Sequence, residues 1–267
     1  MTKVTRLADY TEKYSRIRME RTDGILQITF NTDGRTMIFG PEAHEQIPPA
    51  FLDIGQDPDN RAVIMTGTGD AFIEEVETAT LEGIPGEGSR LPNWTKMTPL
   101  TWDRTFTNAK TMLLNLLDIE VPIIAAVNGP VNIHADLPVL SDIVLAAEHT
   151  YFQDGPHFKN GLVPGDGCHI IWPHLLGRNR GRYFLLTGQR LSAREAHDLG
   201  VVNEVLPADK VLPRAWELAE QILRQPPLTV HYTRVVMTLE LKELFQWHLS
   251  HGLALTGLAA NEFWPNS

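Results

Sequence analysis

Hydrophobic residues in this chain fall into short unbroken runs, separated by longer stretches with a helical repeat. The first run is Ile25–Phe30 (ILQITF), opened by the turn pair Asp23-Gly24 and closed by the polar residues Asn31 to Arg35. That bounded pattern predicts a strand. A second run, Arg61–Thr66 (RAVIMT), ends at Gly67-Thr68-Gly69; PIIAAV at 122–127 ends at Asn128-Gly129-Pro130, and Asp142–Ala147 follows soon after. Runs that are apolar throughout, rather than at alternate positions, predict sheets covered on both faces.

Helical spacing fills the intervals. Pro41–Ile54 repeats at helical period, although Pro48-Pro49 is expected to kink or restart it. Thr111–Leu117 (TMLLNLL) predicts the buried face of a helix that stops before Pro122. Ser192 is placed to cap SAREAHDLG, with Glu195 at the capping-box position and Gly200 as terminator. Leu212–Leu223 and Leu228–Ala260 read as long amphipathic helices. Glu82–Pro99, rich in glycine and proline (IPGEGSRLPNW), is predicted to be a loop or lid. The result is an α/β chain without internal repeats, with a core over residues 1–200 and a helical C-terminal region over 201–267.

Composition narrows the function classes. Hydrophobic residues at 43% and charged residues at 21% are those of an ordinary globular protein. The net charge of −10 opposes binding to nucleic acid or to an anionic membrane surface. One cysteine, Cys168, rules out an internal disulfide or a cysteine-rich metal site. No run approaches the ~18 apolar residues of a membrane span, and the polar N-terminus lacks the core of a secretory signal. A cytoplasmic protein is expected.

Most of the ten histidines need no function. His44, His197, His231 and His248 sit in helical patterns and read as surface or partly buried structural residues. His169 and His174, five apart, do not share one helix face as zinc ligands would. Gly67 and Gly69 begin like a nucleotide-binding turn, but residue 72 is Phe where a third glycine is needed. The stretch from Asn128 to Gly167 is different. His134, His157 and Asp166 occupy loops punctuated by glycine and proline beside predicted strands, where catalytic groups concentrate. The same spacing would equally serve to pin a loop by hydrogen bonds.

Four blocks carry a family resemblance: GTGDAF at 67–72, PIIAAVNGP at 122–130, SDIVLAAEHTYFQDGPHFKNGLVPGDG at 141–167 and LLTGQRLSAREAHDLGVVNEVLP at 185–207. Over roughly residues 20–260 the chain resembles the crotonase (enoyl-CoA hydratase/isomerase) superfamily. Within it, the chain is most similar to 6-oxocamphor hydrolase and related β-diketone hydrolases, which do not use coenzyme A. Ordinary members build an oxyanion hole from backbone N–H groups of glycine-bearing turns. Here NIHAD places His134 near one of those turns, and Glu75-Val76-Glu77 replaces the other. His157 holds the position of the superfamily's catalytic glutamate. Phe39 stands where the hydrolase pattern has tryptophan, and Thr256 where it has glutamate.

The resemblance implies a spiral of ββα units, a C-terminal region that assembles trimers or dimers of trimers, and no metal or organic cofactor. It also implies hydrolytic cleavage of a small-molecule 1,3-diketone. His157 would act as general base on water, its ordinary pKa near 6.5 suiting neutral pH. Asp166 would either orient that ring or protonate the enolate carbon. His134 would donate to the developing oxyanion or enolate oxygen. Phe39, Val76 and Leu81 would line the substrate pocket. Two other readings compete: a coenzyme A-dependent hydratase or thioester hydrolase, and a non-catalytic oligomeric scaffold.

Overall fold

A computed structural model describes residues 4–79, 91–92 and 99–263. Six strands form the main sheet: β1 (Ile17–Thr22), β2 (Ile25–Phe30), β3 (Ala62–Gly67), β4 (Ile123–Val127), β5 (Ile143–Ala147) and β6 (Glu204–Leu206). Their spatial order is their chain order. β1 pairs antiparallel with β2 through the turn at Asp23-Gly24, and every later pair is parallel. Each parallel step needs a crossover, so the chain advances across the sheet unit by unit. β6 lies beyond residue 200 yet pairs with β5, so the sheet extends a few residues past the expected core boundary.

Both faces of the parallel strands are buried, as their unbroken apolar runs require. Leu26, Ile28, Val63, Met65, Ile123, Ala125 and Val127 point into the larger core. Their neighbours Ile25, Ile64, Ile124, Ala126 and Leu145 face a second cluster, sealed by Val211, Ala215 and Ala219.

Among the described residues, the helices of more than one turn are α1 (Pro41–Gln56), α2 (Pro99–Asp118), α3 (Cys168–Leu176), α4 (Arg178–Thr187), α5 (Ala193–Asp198), α6 (Ala208–Ile222) and α7 (Pro227–Phe263). The helix does not restart at Pro48-Pro49: α1 runs through both prolines. Ile47, Ala50, Phe51 and Ile54 are buried, and Asn115 Nδ2 of α2 donates to the Pro48 carbonyl at 2.8 Å. Packing against α2 outweighs a local cost of about 3 kcal/mol per interior proline. α5 carries the predicted capping box, Ser192 with Glu195. Buried Arg234 ties α7 to the sheet, its Nε 2.8 Å from Asp142 Oδ2, which also accepts from the Ile123 N–H at 2.7 Å.

A second, shorter ladder lies beyond the ends of these strands. Ile38–Phe39 pairs parallel with Glu75–Val76, Ile73 bridges Val131, and Val131 bridges Phe152. Tyr151–Phe152 then pairs antiparallel with Leu191–Ser192. Every rung but Leu191–Ser192 lies on the segment that leaves a main-sheet strand, and the candidate site is built around these segments.

Of Glu82–Pro99, only 91–92 and the helix start at Pro99 are among the described residues. Residues 91–92 pair antiparallel with Thr78–Ala79.

Candidate active site

Phe39 and Val76 stand on the first two rungs of the short ladder. His134 follows the Val131 rung, and Asp154 and His157 follow the Phe152 rung. Their side chains meet in one cavity of about 60 Å³. Trp102 and Thr105 of α2, Leu253 and Thr256 of α7, Leu162 and Cys168 complete its mainly apolar wall.

His157 is the centre of the constellation. Its Nδ1 lies 2.5 Å from Asp154 Oδ1 and its Nε2 3.1 Å from Asp166 Oδ2, with all three residues buried. Burial alone would drive proton off the ring. The carboxylates of Asp154 and then Asp166 outweigh it and hold the His157 pKa well above the ordinary value. The expected titration near 6.5 is therefore displaced upward. Burial works against ionising Asp166, but His157, and then His134, pull its pKa down, so it stays a carboxylate.

His134 occupies a left-handed backbone conformation, φ 48°, which is uncommon outside glycine and costs of order 1 kcal/mol. That turn aims its ring into the cavity. Its Nδ1 lies 3.4 Å from Asp136 Oδ1, and Asp136 is fully buried. Burial lowers the His134 pKa, yet Asp136 reverses that and raises it, so the ring keeps an N–H to donate. On its other side lies Phe39, and His44 of α1 is nearby with ring centroids 6.1 Å apart. Burial, reinforced by the charge of His134, pushes His44 down to about 3. His44 is thus a neutral wall of the site, not the surface or partly buried structural residue its helical position suggested.

The loop carrying Asp166 is fixed by a backbone contact with α7. Cβ atoms at Gly165 and Gly252 would each collide with the other's carbonyl oxygen. Thr256 Oγ1 donates toward the Val163 and Gly252 carbonyls, 3.0 Å from each.

The structure brings together His134, His157, Asp166, Phe39 and Val76. Leu81 lies outside the described residues. The sequence reading missed Asp154, Asp136 and Trp102. Asp154 sits three residues before His157 in QDGPHF, a short turn-borne spacing that could have flagged it. Asp154, His157 and Cys168 bring potential metal-ligand atoms within 4.8 Å of one another. They do not fit a metal well. His157 Nδ1 is committed to Asp154, and burial, with Asp154 and Asp166 adding to it, holds the Cys168 thiol well above its usual pKa, whereas metals bind thiolate.

Residues 20–246 match the family model described as enoyl-CoA hydratase/isomerase. Carnitinyl-CoA dehydratase from Salmonella arizonae is 29% identical over 251 residues, covering 89% of this chain and 87% of that protein. A β-diketone hydrolase from the cyanobacterium Anabaena sp. PCC 7120, solved with (S)-3-oxocyclohexyl acetic acid, is 44% identical. It covers 95% of this chain and 97% of its own, with a TM-score of 0.87. An enoyl-CoA hydratase/isomerase from Mycobacterium paratuberculosis superposes with a TM-score of 0.79 at 26% identity, over 92% and 93% of the two chains. With its spiral α/β core and long C-terminal helix, the chain belongs to the enoyl-CoA hydratase/isomerase family, the crotonases.

Proposed function

We propose that this crotonase is a hydrolase that adds water across a carbon–carbon bond of a 1,3-diketone, giving a keto acid without coenzyme A. One observation carries the reading: the imidazole of His157 stands in a mainly apolar cavity, 3.1 Å from Asp166 and sharing that cavity with a second imidazole, His134. The similarity to the Anabaena β-diketone hydrolase supports it.

A simple ketone resists such cleavage because its leaving group would be a bare carbanion. In a 1,3-diketone the electron pair passes into an enolate, delocalised onto the second carbonyl. The enzyme must therefore supply a base for water and a donor for the charged oxygen. In its neutral form His157 supplies the base. His134, whose pKa Asp136 raises, supplies the N–H donor, and such preorganised donors lower barriers strongly in water-poor sites. Phe39 and Val76 provide the apolar surface.

The resemblance to carnitinyl-CoA dehydratases favours a second reading, a coenzyme A-dependent lyase. Two experiments separate them: a spectrophotometric screen of cyclic and acyclic 1,3-diketones with products identified by mass, and thermal-shift titration with coenzyme A thioesters, since a ligand of the native state raises Tm. Diketone turnover without thioester stabilisation supports the hydrolase. Thioester turnover with no diketone cleavage overturns it.

The proposed enzyme works as a trimer or dimer of trimers. Leu228, Tyr232, Val236 and Leu239 form an exposed apolar stripe at helical spacing on α7, suited to a second copy. Sedimentation of Val236→Glu should show smaller species than wild type. Among the described residues, no helix is long and apolar enough to cross a membrane.

A further inference from the structure

His157 is held by two carboxylates, one at each ring nitrogen, and their supports differ. Asp154 is built into the short ladder. The Gln153 N–H donates to the Val131 carbonyl at 2.9 Å, and the Gly155 N–H to the Asn132 carbonyl at 3.1 Å. Gly155 is so close to Asn132 that a Cβ there would collide with Asn132 Oδ1. The backbone on both sides of Asp154 is thus pinned, and the side chain reaches Nδ1 at 2.5 Å. Asp166 lies between Gly165, whose backbone is held against α7, and Gly167, and it meets the opposite nitrogen at the longer distance of 3.1 Å. Position 256 supplies no carboxylate, because it is a threonine whose hydroxyl is turned to the backbone.

We propose that Asp154 is the positioning residue for His157, holding its Nδ1–H so that Nε2 works on water, and that Asp166 is thereby left to carry the proton to the substrate carbon. The second half rests on the diketone-hydrolase reading. Nε2 takes a proton from water as the hydroxide oxygen bonds to one carbonyl carbon. The bond from that carbon to the α-carbon breaks, and its electron pair enters the enolate. The proton on Nε2 crosses to Asp166 Oδ2, which delivers it to the α-carbon. Water's second hydrogen leaves with the product acid. His157 and Asp166 return to their starting states, and Asp154 keeps its Nδ1–H partner throughout.

The test is Asp154→Asn, which keeps the shape and removes the charge. The charged or titratable groups around His157 are Asp154 and Asp166 on its own loop, His134 and Asp136 after β4, Cys168 and His169 on α3, and His44 on α1; only the first is altered. The kcat should fall about 10²–10⁴-fold with little change in KM. The acid limb of kcat/KM should move to lower pH, because His157 loses one carboxylate that retains its proton. Asp154→Glu should restore part of both. NMR titration of ¹⁵N-labelled imidazoles without substrate reads the same downward shift independently of turnover.

Near-wild-type kcat with an unmoved acid limb and unmoved His157 titration overturns the positioning role. A wild-type protein inert toward every diketone, yet with His157 shifted in Asp154→Asn, overturns the hydrolase reading and leaves that role standing. If Asp154→Asn does not fold, Asp154→Glu decides: a carboxylate moved by one methylene should lower kcat and displace the titration, and an unchanged enzyme overturns the proposal. For Asp166, cleavage in D₂O should place deuterium on one face of the α-carbon in wild type. Asp166→Asn should lose that bias, and retained bias overturns the second half.

Discussion

The imidazole of His134 leans on the ring of Phe39, with centroids 4.5 Å apart and planes tilted by 51°, while Asp136 stands 3.4 Å from Nδ1 on another side. An aromatic wall and a buried carboxylate therefore fix the ring in a strained backbone turn. A donor preorganised in this way needs no reorientation as charge develops on substrate oxygen. His134→Ala should lower kcat about 10²–10³-fold, with a smaller change in KM. Steady-state kinetics on a cleaved diketone checks this, and a pure KM effect would reduce His134 to a binding group.

His157→Ala removes the proposed base and leaves the cavity. Diketone hydrolysis should drop by at least about 10²-fold, while circular dichroism and Tm report a folded protein. Near-normal turnover in a folded variant would remove His157 from the mechanism.

His44 gives a pH signature in stability. Its folded pKa of about 3 lies below the ordinary value of 6.5, so the unfolded chain binds the proton more readily. Its contribution is intact above pH 6.5 and is lost as pH falls from there toward 3, at up to about 1.4 kcal/mol per pH unit. His157 and His134, with raised values, act in the opposite sense: their contributions are present below 6.5 and lost as pH rises through the folded pKa. The difference between His44→Gln and wild type isolates the first effect. Urea unfolding of both proteins from pH 7 to 4 should show the variant gaining on wild type as pH drops; parallel curves would refute a buried neutral His44.

Gly252→Ala tests the contact between α7 and the loop that carries Asp166. The added methyl would meet the Gly165 carbonyl and the His169 ring, so helix or loop must move. A stability loss of about 1–3 kcal/mol is expected, with a fall in kcat because Asp166 is the next residue. Chemical denaturation and kinetics together check this; a variant as stable and active as wild type would show the approach is not needed.

The sequence was most informative where one residue's local chemistry settles the outcome. Ile25–Phe30 forms the predicted strand because an apolar run between turns has no other stable use, and Ser192 with Glu195 caps α5 as its spacing predicts. β1 is hard to read. Its buried Ile17 and Met19 alternate with exposed Arg18 and Glu20, and four such residues in a polar N-terminus are a weak signal. The two-residue rungs of the short ladder are legible only once their neighbours are in place. The same holds for the site. His134, His157 and Asp166 stand out as polar groups on glycine-rich loops. Asp154 does not, because a carboxylate in a turn looks solvated until a ring is found against it. His44 looks like a helix-surface residue until α1 is seen to turn it toward His134.

His134, Asp154 and His157 follow rungs of the short ladder and not strands of the six-stranded sheet, so the polar groups of the cavity and the strength of the scaffold draw on different stretches of the polypeptide. A substitution beyond a rung's end, such as one at His157, touches none of the residues that set the register of the parallel strands. One backbone plan can in this way be retooled repeatedly, its reagents exchanged like bits in a drill while the chuck that grips them stays the same.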